Sequence, residues 1–101
     1  MSVESPKEVY DRQYGLHRDG RILCPSSLHD LQKAHRRVQG ALRAFRLSAC
    51  SKGADVLDVG CGLGYYTKAL SATGANVIGI DFSEVGVAAA KTAFPDCQFR
   101  C

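Results

Sequence analysis

Three alternate glycines, Gly60, Gly62 and Gly64, directly follow a short apolar segment and constrain the fold more than any other feature of the sequence. The segment before them, residues 55–59, reads Asp-Val-Leu-Asp-Val, which is typical of one buried strand. Glycine adopts positive φ angles at little cost and leaves space beside the main chain for a ligand. The pattern therefore predicts a strand followed by a tight, backbone-lined turn.

A helix and a second strand are predicted after the glycines. Residues 65–72 have a helical composition and are followed by Gly74, a residue typical of helix C-caps. Residues 77–80 form a second apolar segment, which ends at Asp81. This order predicts a βαβ unit whose glycine turn and terminal carboxylate meet at the carboxyl ends of the strands, where open α/β sheets bind ligands.

Asp81 indicates what kind of ligand such a site would hold. A carboxylate can accept hydrogen bonds from both hydroxyls of a ribose, and these are stronger than bonds between neutral groups. Dinucleotide-binding enzymes place an acid about 20 residues past the first glycine, and Asp81 lies 21 residues past Gly60. Their fingerprint also needs Gly or Ala at the position that Tyr65 occupies here. A nucleoside-containing cofactor is therefore predicted, and an NAD-dependent oxidoreductase is the less favoured alternative.

Two motifs, in this order, resemble those of a known family. Residues 56–64, Val-Leu-Asp-Val-Gly-Cys-Gly-Leu-Gly, and residues 79–83, Gly-Ile-Asp-Phe-Ser, resemble the first and second motifs of class I S-adenosylmethionine-dependent methyltransferases. The resemblance implies S-adenosyl-L-methionine as the cofactor, with Asp81 on the ribose hydroxyls and Phe82 bordering the adenine. The loop under the methionine part of the cofactor would contain Asp58, Gly60, Cys61, Gly62 and Gly64.

The resemblance extends to the N-terminal residues. Many methyltransferases of this type carry a Tyr-Asp-x-x-Tyr element before the core, which folds over the cofactor as a lid, and residues 10–14 are similar to it. On this resemblance, residues 1–26 form a lid or arm, residues 27–101 form a partial S-adenosylmethionine-binding domain, and Tyr14 or Tyr10 touches the cofactor. Ordinary packing of an amphipathic turn is the alternative.

Local signals predict two helices in the first half of the chain. Residues 8–14 predict a helix that ends at Gly15, and residues 16–26 predict a loop. A longer helix begins at Ser27, a residue typical of N-caps. Its predicted apolar stripe consists of Leu28, Leu31, Val38, Leu42 and Phe45, supported by Ala34, Ala41 and Leu47.

A further helix over residues 84–94, capped by Ser83, and a third strand over residues 97–101 complete the prediction. The predicted fold class is α/β, a Rossmann-like three-layer sandwich of which only the first half is present, with strand order 3-2-1 and a preceding helical segment. The edge of the first strand would be open, and an open apolar edge recruits another chain or aggregates. We therefore expect a piece of a longer enzyme, with a short protein that self-associates through this edge as the alternative.

Composition and charge narrow the possible partners. The chain has 101 residues, 46% of them apolar, which suits one small globular domain. It has neither an apolar run long enough to span a membrane nor a signal peptide, so a cytoplasmic protein is expected. Residues 1–52 carry ten Lys or Arg against five Asp or Glu. We interpret this basic half as a solvated helix surface, and nucleic acid is not an expected partner.

The sequence assigns a reaction class but no catalytic residue. Its five cysteines include no Cys-x-x-Cys pair, so no metal site is expected. His17, His29 and His35 all precede the glycine turn, and none can be placed as a general base. The resemblance implies methyl transfer to a small-molecule acceptor, catalysed mainly by alignment of donor and acceptor. A non-catalytic Rossmann-like scaffold or partner subunit is the alternative.

Overall fold

The computed structural model describes residues 3–18, 27–47 and 52–101 of the chain. These residues form four helices and three strands. In chain order the elements are α1 (Pro6–Arg18), α2 (Ser27–Ala44), β1 (Asp55–Val59), α3 (Tyr65–Ser71), β2 (Asn76–Ile80), α4 (Glu84–Ala93) and β3 (Gln98–Arg100). None of the described helices has the length and apolar character needed to cross a membrane.

The three strands form one parallel sheet in the order β1-β2-β3, which confirms the predicted order 3-2-1. The register pairs Val59 with Ile80 and Ile80 with Arg100, so the carboxyl ends of all three strands are level. The residues that follow β1 and β2 therefore lie side by side at the carboxyl ends of the strands. The site was predicted at this position.

Helix α1 is longer than predicted, and the prediction that it ends at Gly15 is wrong. The helix begins at Pro6, a position where the missing N–H of proline costs nothing. Ser5 and Glu8 form a reciprocal cap, in which the Ser5 N–H donates to the Glu8 carboxylate at 2.6 Å and the Glu8 N–H donates to the Ser5 hydroxyl at 3.2 Å. Such a cap offsets the cost of about 1 kcal/mol for one glycine within the helix. Of the predicted loop, residues 16–18 are helical and residues 19–26 lie outside the described residues.

The core lies between one face of the sheet and the helices. Phe99 of β3 is buried in it, together with residues of α4 and of the glycine turn. This cluster contains Cys61, Val87, Ala90, Phe94 and Phe99. Close approach depends on Gly79 in β2, because a Cβ there would lie 2.6 Å from the Thr67 hydroxyl oxygen of α3 and 2.9 Å from the ring of Phe99. A small residue in the middle of the sheet thus lets α3 and Phe99 pack onto it.

Helix α2 packs on α3 through part of its predicted stripe. Ala34 and Val38 are buried, and they form a second cluster with Ala69 of α3. The predictions for Phe45 and Leu47 are wrong, since both side chains are exposed. The helix ends at Ala44, and the chain then turns at Arg46, whose φ angle is 56°, away from the helical direction. Ala41 is also exposed, and the side chain of Leu28 lies outside the described part of the structure.

The opposite face of the sheet carries apolar side chains without a helix over them among the described residues. Leu57 is 58% exposed and Val59 is 73% exposed, and Ile78 and Ile80 beside them are half-buried. The buried strand residues Val77, Gly79 and Phe99 point to the other face, where the helices pack. The described residues therefore supply two layers of a three-layer sandwich.

Phe99 and Phe45 offer a matched test of this core. We expect Phe99→Ala to lower the free energy of unfolding by about 3–5 kcal/mol, because it removes a buried aromatic ring. Phe45→Ala removes the same group from a side chain that is 74% exposed, and it should change stability by no more than about 0.5 kcal/mol. Urea denaturation followed by circular dichroism measures both. Equal losses for the two variants would contradict the packing described above.

Candidate functional site

The glycine turn after β1 is built from three residues with positive φ angles. The values are 75° at Gly60, 52° at Gly62 and 90° at Gly64. Other residues pay roughly 1–2 kcal/mol in this region, so the turn requires glycine. The N–H groups of Gly60 and Cys61 both donate to the Ile80 carbonyl, at 2.8 and 2.9 Å. These bonds fix the turn to the end of β2.

The three glycines differ in what surrounds them. A Cβ at Gly64 would lie 2.7 Å from the Phe99 ring. Glycine at this position therefore leaves space for Phe99 to pack in the core. A Cβ at Gly62 would lie 2.7 Å from the Tyr14 hydroxyl oxygen of α1. A Cβ at Gly60 would meet nothing within 4 Å. Open main chain for a ligand is therefore found at Gly60. Gly62 is covered by the Tyr14 side chain, and Gly64 contributes to the site through its backbone shape.

Asp81 joins the glycine turn to the next helix. Its carboxylate is buried, and Oδ2 accepts the Gly62 N–H at 2.9 Å while Oδ1 accepts the Ser83 N–H at 2.9 Å. Neither bond was predicted from the sequence. A carboxylate has about four lone-pair positions, so two remain for further donors. The assignment of ribose hydroxyls to Asp81 stays a prediction, and it is compatible with this geometry.

Asp58, near the end of β1, holds α3 in place. The Thr67 hydroxyl donates to Asp58 Oδ2 at 2.7 Å, and Thr67 itself is fully buried. A buried hydroxyl without a partner would cost roughly 1–3 kcal/mol, so this bond stabilises the contact between α3 and the sheet. Any contact between Asp58 and a cofactor stays a prediction.

Cys61 lies within the turn with its side chain in the core. Burial, with the nearby charges of Asp58 and Asp81, raises the pKa of its thiol to about 12. The thiol is therefore neutral at physiological pH, which does not suit a nucleophile or a metal ligand. Among residues 3–18, 27–47 and 52–101, no three His, Cys, Asp or Glu side chains cluster as a metal site would require.

Helix α1 lies against this site through aromatic side chains. The Tyr10 ring makes an edge-on contact with Phe82, with centroids 5.7 Å apart, and stacks on Tyr14 at 5.8 Å. Phe82 remains 48% exposed. Burial and then the charge of Asp81 raise the pKa of the Tyr14 phenol, which therefore keeps its proton. The predicted site residues Tyr14, Asp81 and Phe82 are thus brought to one place, beside Gly62.

A contact between two polar residues at this place was not predicted from the sequence. The Ser83 hydroxyl donates a short hydrogen bond to Asp11 of α1 and also accepts the Gly86 N–H at 3.0 Å as the N-cap of α4. The cap was predicted, but the bond to Asp11 was not. The signal was present, because Asp11 lies three residues before Tyr14 and such residues share one face of a helix. The sequence did not show which part of the core that face would meet.

The second half of the chain is similar to known proteins. A family model described as "Methyltransferase domain" matches residues 56–101. The ubiquinone biosynthesis O-methyltransferase of Bradyrhizobium diazoefficiens is 49% identical over 49 residues, which are 48% of this chain and 19% of that protein. The enzyme of the same name from Rhodopseudomonas palustris strain TIE-1 is 44% identical over 55 residues, 50% of this chain and 22% of that protein.

Residues 56–101 are similar to the methyltransferase-domain family. They contain the glycine turn, Asp81 and the whole of β2, α4 and β3. The predicted resemblance to the N-terminal part of a class I methyltransferase domain is confirmed. The chain spans about a fifth of the length of the curated relatives it matches.

Solved structures show the fold of the chain. Magnesium protoporphyrin IX methyltransferase (ChlM) from Synechocystis PCC 6803, with bound SAH, superposes with a TM-score of 0.64 and 22% identity over 95% of this chain and 51% of that one. The PH0226 protein of Pyrococcus horikoshii OT3 gives a TM-score of 0.52 and 23% identity over 90% of this chain and 38% of that one. The prediction of a partial Rossmann-like α/β fold is confirmed.

Alkylation tests the burial of the turn. We expect iodoacetamide at about pH 8 to modify the exposed Cys101 and to leave Cys61 intact in the folded chain, because the neutral, buried thiol lacks the reactive thiolate form. Mass spectrometry of the peptides measures both sites. In urea, where the pKa of Cys61 returns to its ordinary value, both should react. Equal reactivity in the folded chain would contradict the structure of the turn.

Proposed function

We propose that this chain is the cofactor-binding part of an S-adenosyl-L-methionine-dependent methyltransferase. One observation carries the proposal: the Gly62 N–H donates to the Asp81 carboxylate, so the first and second motifs form one site at the carboxyl ends of β1 and β2. That position in the fold is where open α/β sheets bind ligands. The match of residues 56–101 to the methyltransferase-domain model supports the same proposal.

The residues at this site fit the proposed cofactor. Asp81 retains acceptor positions for ribose hydroxyls, and the half-exposed ring of Phe82 offers an apolar surface for the adenine. Gly60 presents open main chain for the methionine part. When bound, the sulfonium supplies an electrophilic methyl group. Asp58 and Cys61 shape the turn beneath it, since the carboxylate of Asp58 anchors α3 and the Cys61 side chain fills the core.

We also propose that the N-terminal arm, residues 1–26, covers the cofactor, and that residues 27–101 carry the binding domain. The described part of the arm, α1, reaches the site with Tyr10 and Tyr14. A helix at this place excludes water from the cofactor and holds it in one orientation, and both effects favour transfer to an aligned acceptor.

The acceptor is proposed to be a small molecule. The curated relatives are named ubiquinone biosynthesis O-methyltransferases, and this name supports the class of acceptor for the present chain. An NAD-dependent oxidoreductase is disfavoured, because Tyr65 stands where its fingerprint needs a small residue and packs edge-on against Phe94, with centroids 5.7 Å apart.

We further propose that a second copy of the chain covers β1 when the chain is studied alone. Among the described residues β1 pairs with β2 on one side only, and Leu57 and Val59 expose apolar surface beside its open edge. An edge of this kind is a template for pairing with another strand. A cytoplasmic location fits both proposals and stays a prediction.

Titration calorimetry with S-adenosylhomocysteine and with NAD tests the cofactor. We expect binding of the first ligand only. Asp81→Asn should weaken it by about 1.5–3 kcal/mol, the usual value of a hydrogen bond to a charged group, which is roughly a 10- to 150-fold rise in Kd. Asp55→Asn is the control, because Asp55 is an exposed acid at the opposite end of β1.

Each other outcome has a definite meaning. Binding of NAD alone would favour the oxidoreductase, and binding of neither ligand would favour a non-catalytic scaffold. An unchanged Kd in Asp81→Asn would contradict the assignment of the ribose hydroxyls to Asp81. Thermal unfolding of the ligand-free variants separates lost ribose contacts from a disturbed turn, since Asp81 also holds the N–H groups of Gly62 and Ser83.

Sedimentation velocity tests the self-association. We expect the parent chain to form dimers at micromolar concentration and Val59→Lys to shift it to monomers, because a charge on this surface opposes apolar contact and strand pairing. Phe45→Lys is the matched control, since Phe45 is 74% exposed and Val59 is 73% exposed. A monomeric parent, or equal effects of the two substitutions, would exclude β1 as the interface.

A further inference from the structure

Gly86 lies in the first turn of α4, where neither helix propensity nor the backbone conformation favours glycine. Glycine within a helix costs about 1 kcal/mol relative to alanine. The φ angle of Gly86 is not in the left-handed region, so the backbone does not require glycine there. A Cβ at this position would lie 2.6 Å from Cδ2 and 2.8 Å from Cε2 of Tyr14. The space above Gly86 is therefore occupied by the Tyr14 ring.

A second glycine receives the other end of the same side chain. The Tyr14 hydroxyl oxygen lies 2.7 Å from the position that a Cβ of Gly62 would occupy. Gly62 belongs to the turn after β1 and Gly86 to the helix after β2, so two separate elements of the core meet one tyrosine. We call these two glycines, together with the Tyr14 side chain between them, the tyrosine seat.

We propose that Gly86 is a positioning residue, which seats Tyr14 and thereby holds the α1 arm on the cofactor site. This inference rests on the proposed function. The neighbouring bonds agree with it, because Ser83 caps α4 at the Gly86 N–H and donates to Asp11 of α1. Most other side chains of α1 up to Tyr14 are exposed, and the helix packs chiefly on α4. Placement of the arm therefore depends on the first turn of α4.

The seat links the arm to the ligand. Gly62 donates its N–H to Asp81, so the residue under the Tyr14 hydroxyl is bonded to the residue proposed to hold the ribose. If the seated arm covers the cofactor, the arm and the ligand stabilise each other by the same factor, since coupling between two binding events is reciprocal. Loss of the seat should then free α1 and weaken cofactor binding together.

Hydrogen exchange measured by mass spectrometry tests the seat without any ligand. In Gly86→Ala the new methyl group displaces Tyr14, and we expect amide exchange in residues 8–14 to rise about tenfold or more. Tyr14→Ala should give the same rise, and the double variant should exchange no faster than either single one. Gly40→Ala is the control, because Gly40 is also a helical glycine but a Cβ there would meet nothing within 4 Å. It should leave exchange in α1 unchanged.

Calorimetry with S-adenosylhomocysteine then tests the coupling. We expect Gly86→Ala to raise Kd about tenfold, with no further rise when Tyr14→Ala is added, and no change in Gly40→Ala. Parent-like exchange in Gly86→Ala, or additive effects in the double variant, would overturn the seat. Faster exchange with an unchanged Kd would overturn its link to the ligand. Failure of the parent chain to bind S-adenosylhomocysteine would refute the proposed function, while the exchange comparison would still decide the seat.

Discussion

The arrangement of the site depends on one buried carboxylate, Asp81, which accepts main-chain N–H groups from two elements. Gly62 donates from the turn after β1, and Ser83 donates from the start of α4. Hydrogen bonds to a charged acceptor contribute about 1.5–3 kcal/mol each, and the positive end of α4 favours a negative charge at this place. The Ile80 carbonyl of β2 holds only the start of the turn, at Gly60 and Cys61, whereas Asp81 holds Gly62 and joins the turn to α4. Asp81 therefore has a structural role in addition to any role in binding.

Small residues determine how closely the layers approach around this carboxylate. The Phe99 ring occupies the space that side chains at Gly64 and Gly79 would need. The same ring thus contacts the turn and the central strand, and it connects their positions. Tyr14 approaches Gly62 and Gly86 in a similar way. The glycine turn thus contacts a buried phenylalanine at Gly64 and a half-buried tyrosine at Gly62, so its shape is set by packing as well as by φ angles.

Elements from β1 to β3 were predicted within one or two residues, because their signals are local. Apolar runs mark the strands, Gly74 follows α3, and Ser83 caps α4. Contacts between distant residues were harder to predict. Tyr14 was recognised only through a resemblance and Gly86 was not singled out, since the contact between them joins residues 72 positions apart. Phe45 was wrongly predicted to be buried, because the helical spacing of apolar residues was extended past Ala44, where α2 ends.

The charges at the arm indicate that its placement is governed by fit rather than by titration. Lys7 and then Ser83 lower the pKa of the Asp11 carboxyl below its usual value, and burial and Asp81 raise the pKa of the Tyr14 phenol above its own. A lowered carboxyl pKa contributes stability that is present above the unfolded value and lost only as pH falls through the folded one. A raised phenol pKa keeps Tyr14 neutral up to strongly alkaline pH. Between these limits neither group changes charge, so Tyr14 places a neutral hydroxyl over Gly62 and Asp11 stays paired with Lys7. The position of α1 then depends on the fit of Tyr14 in the tyrosine seat and on any ligand bound next to it.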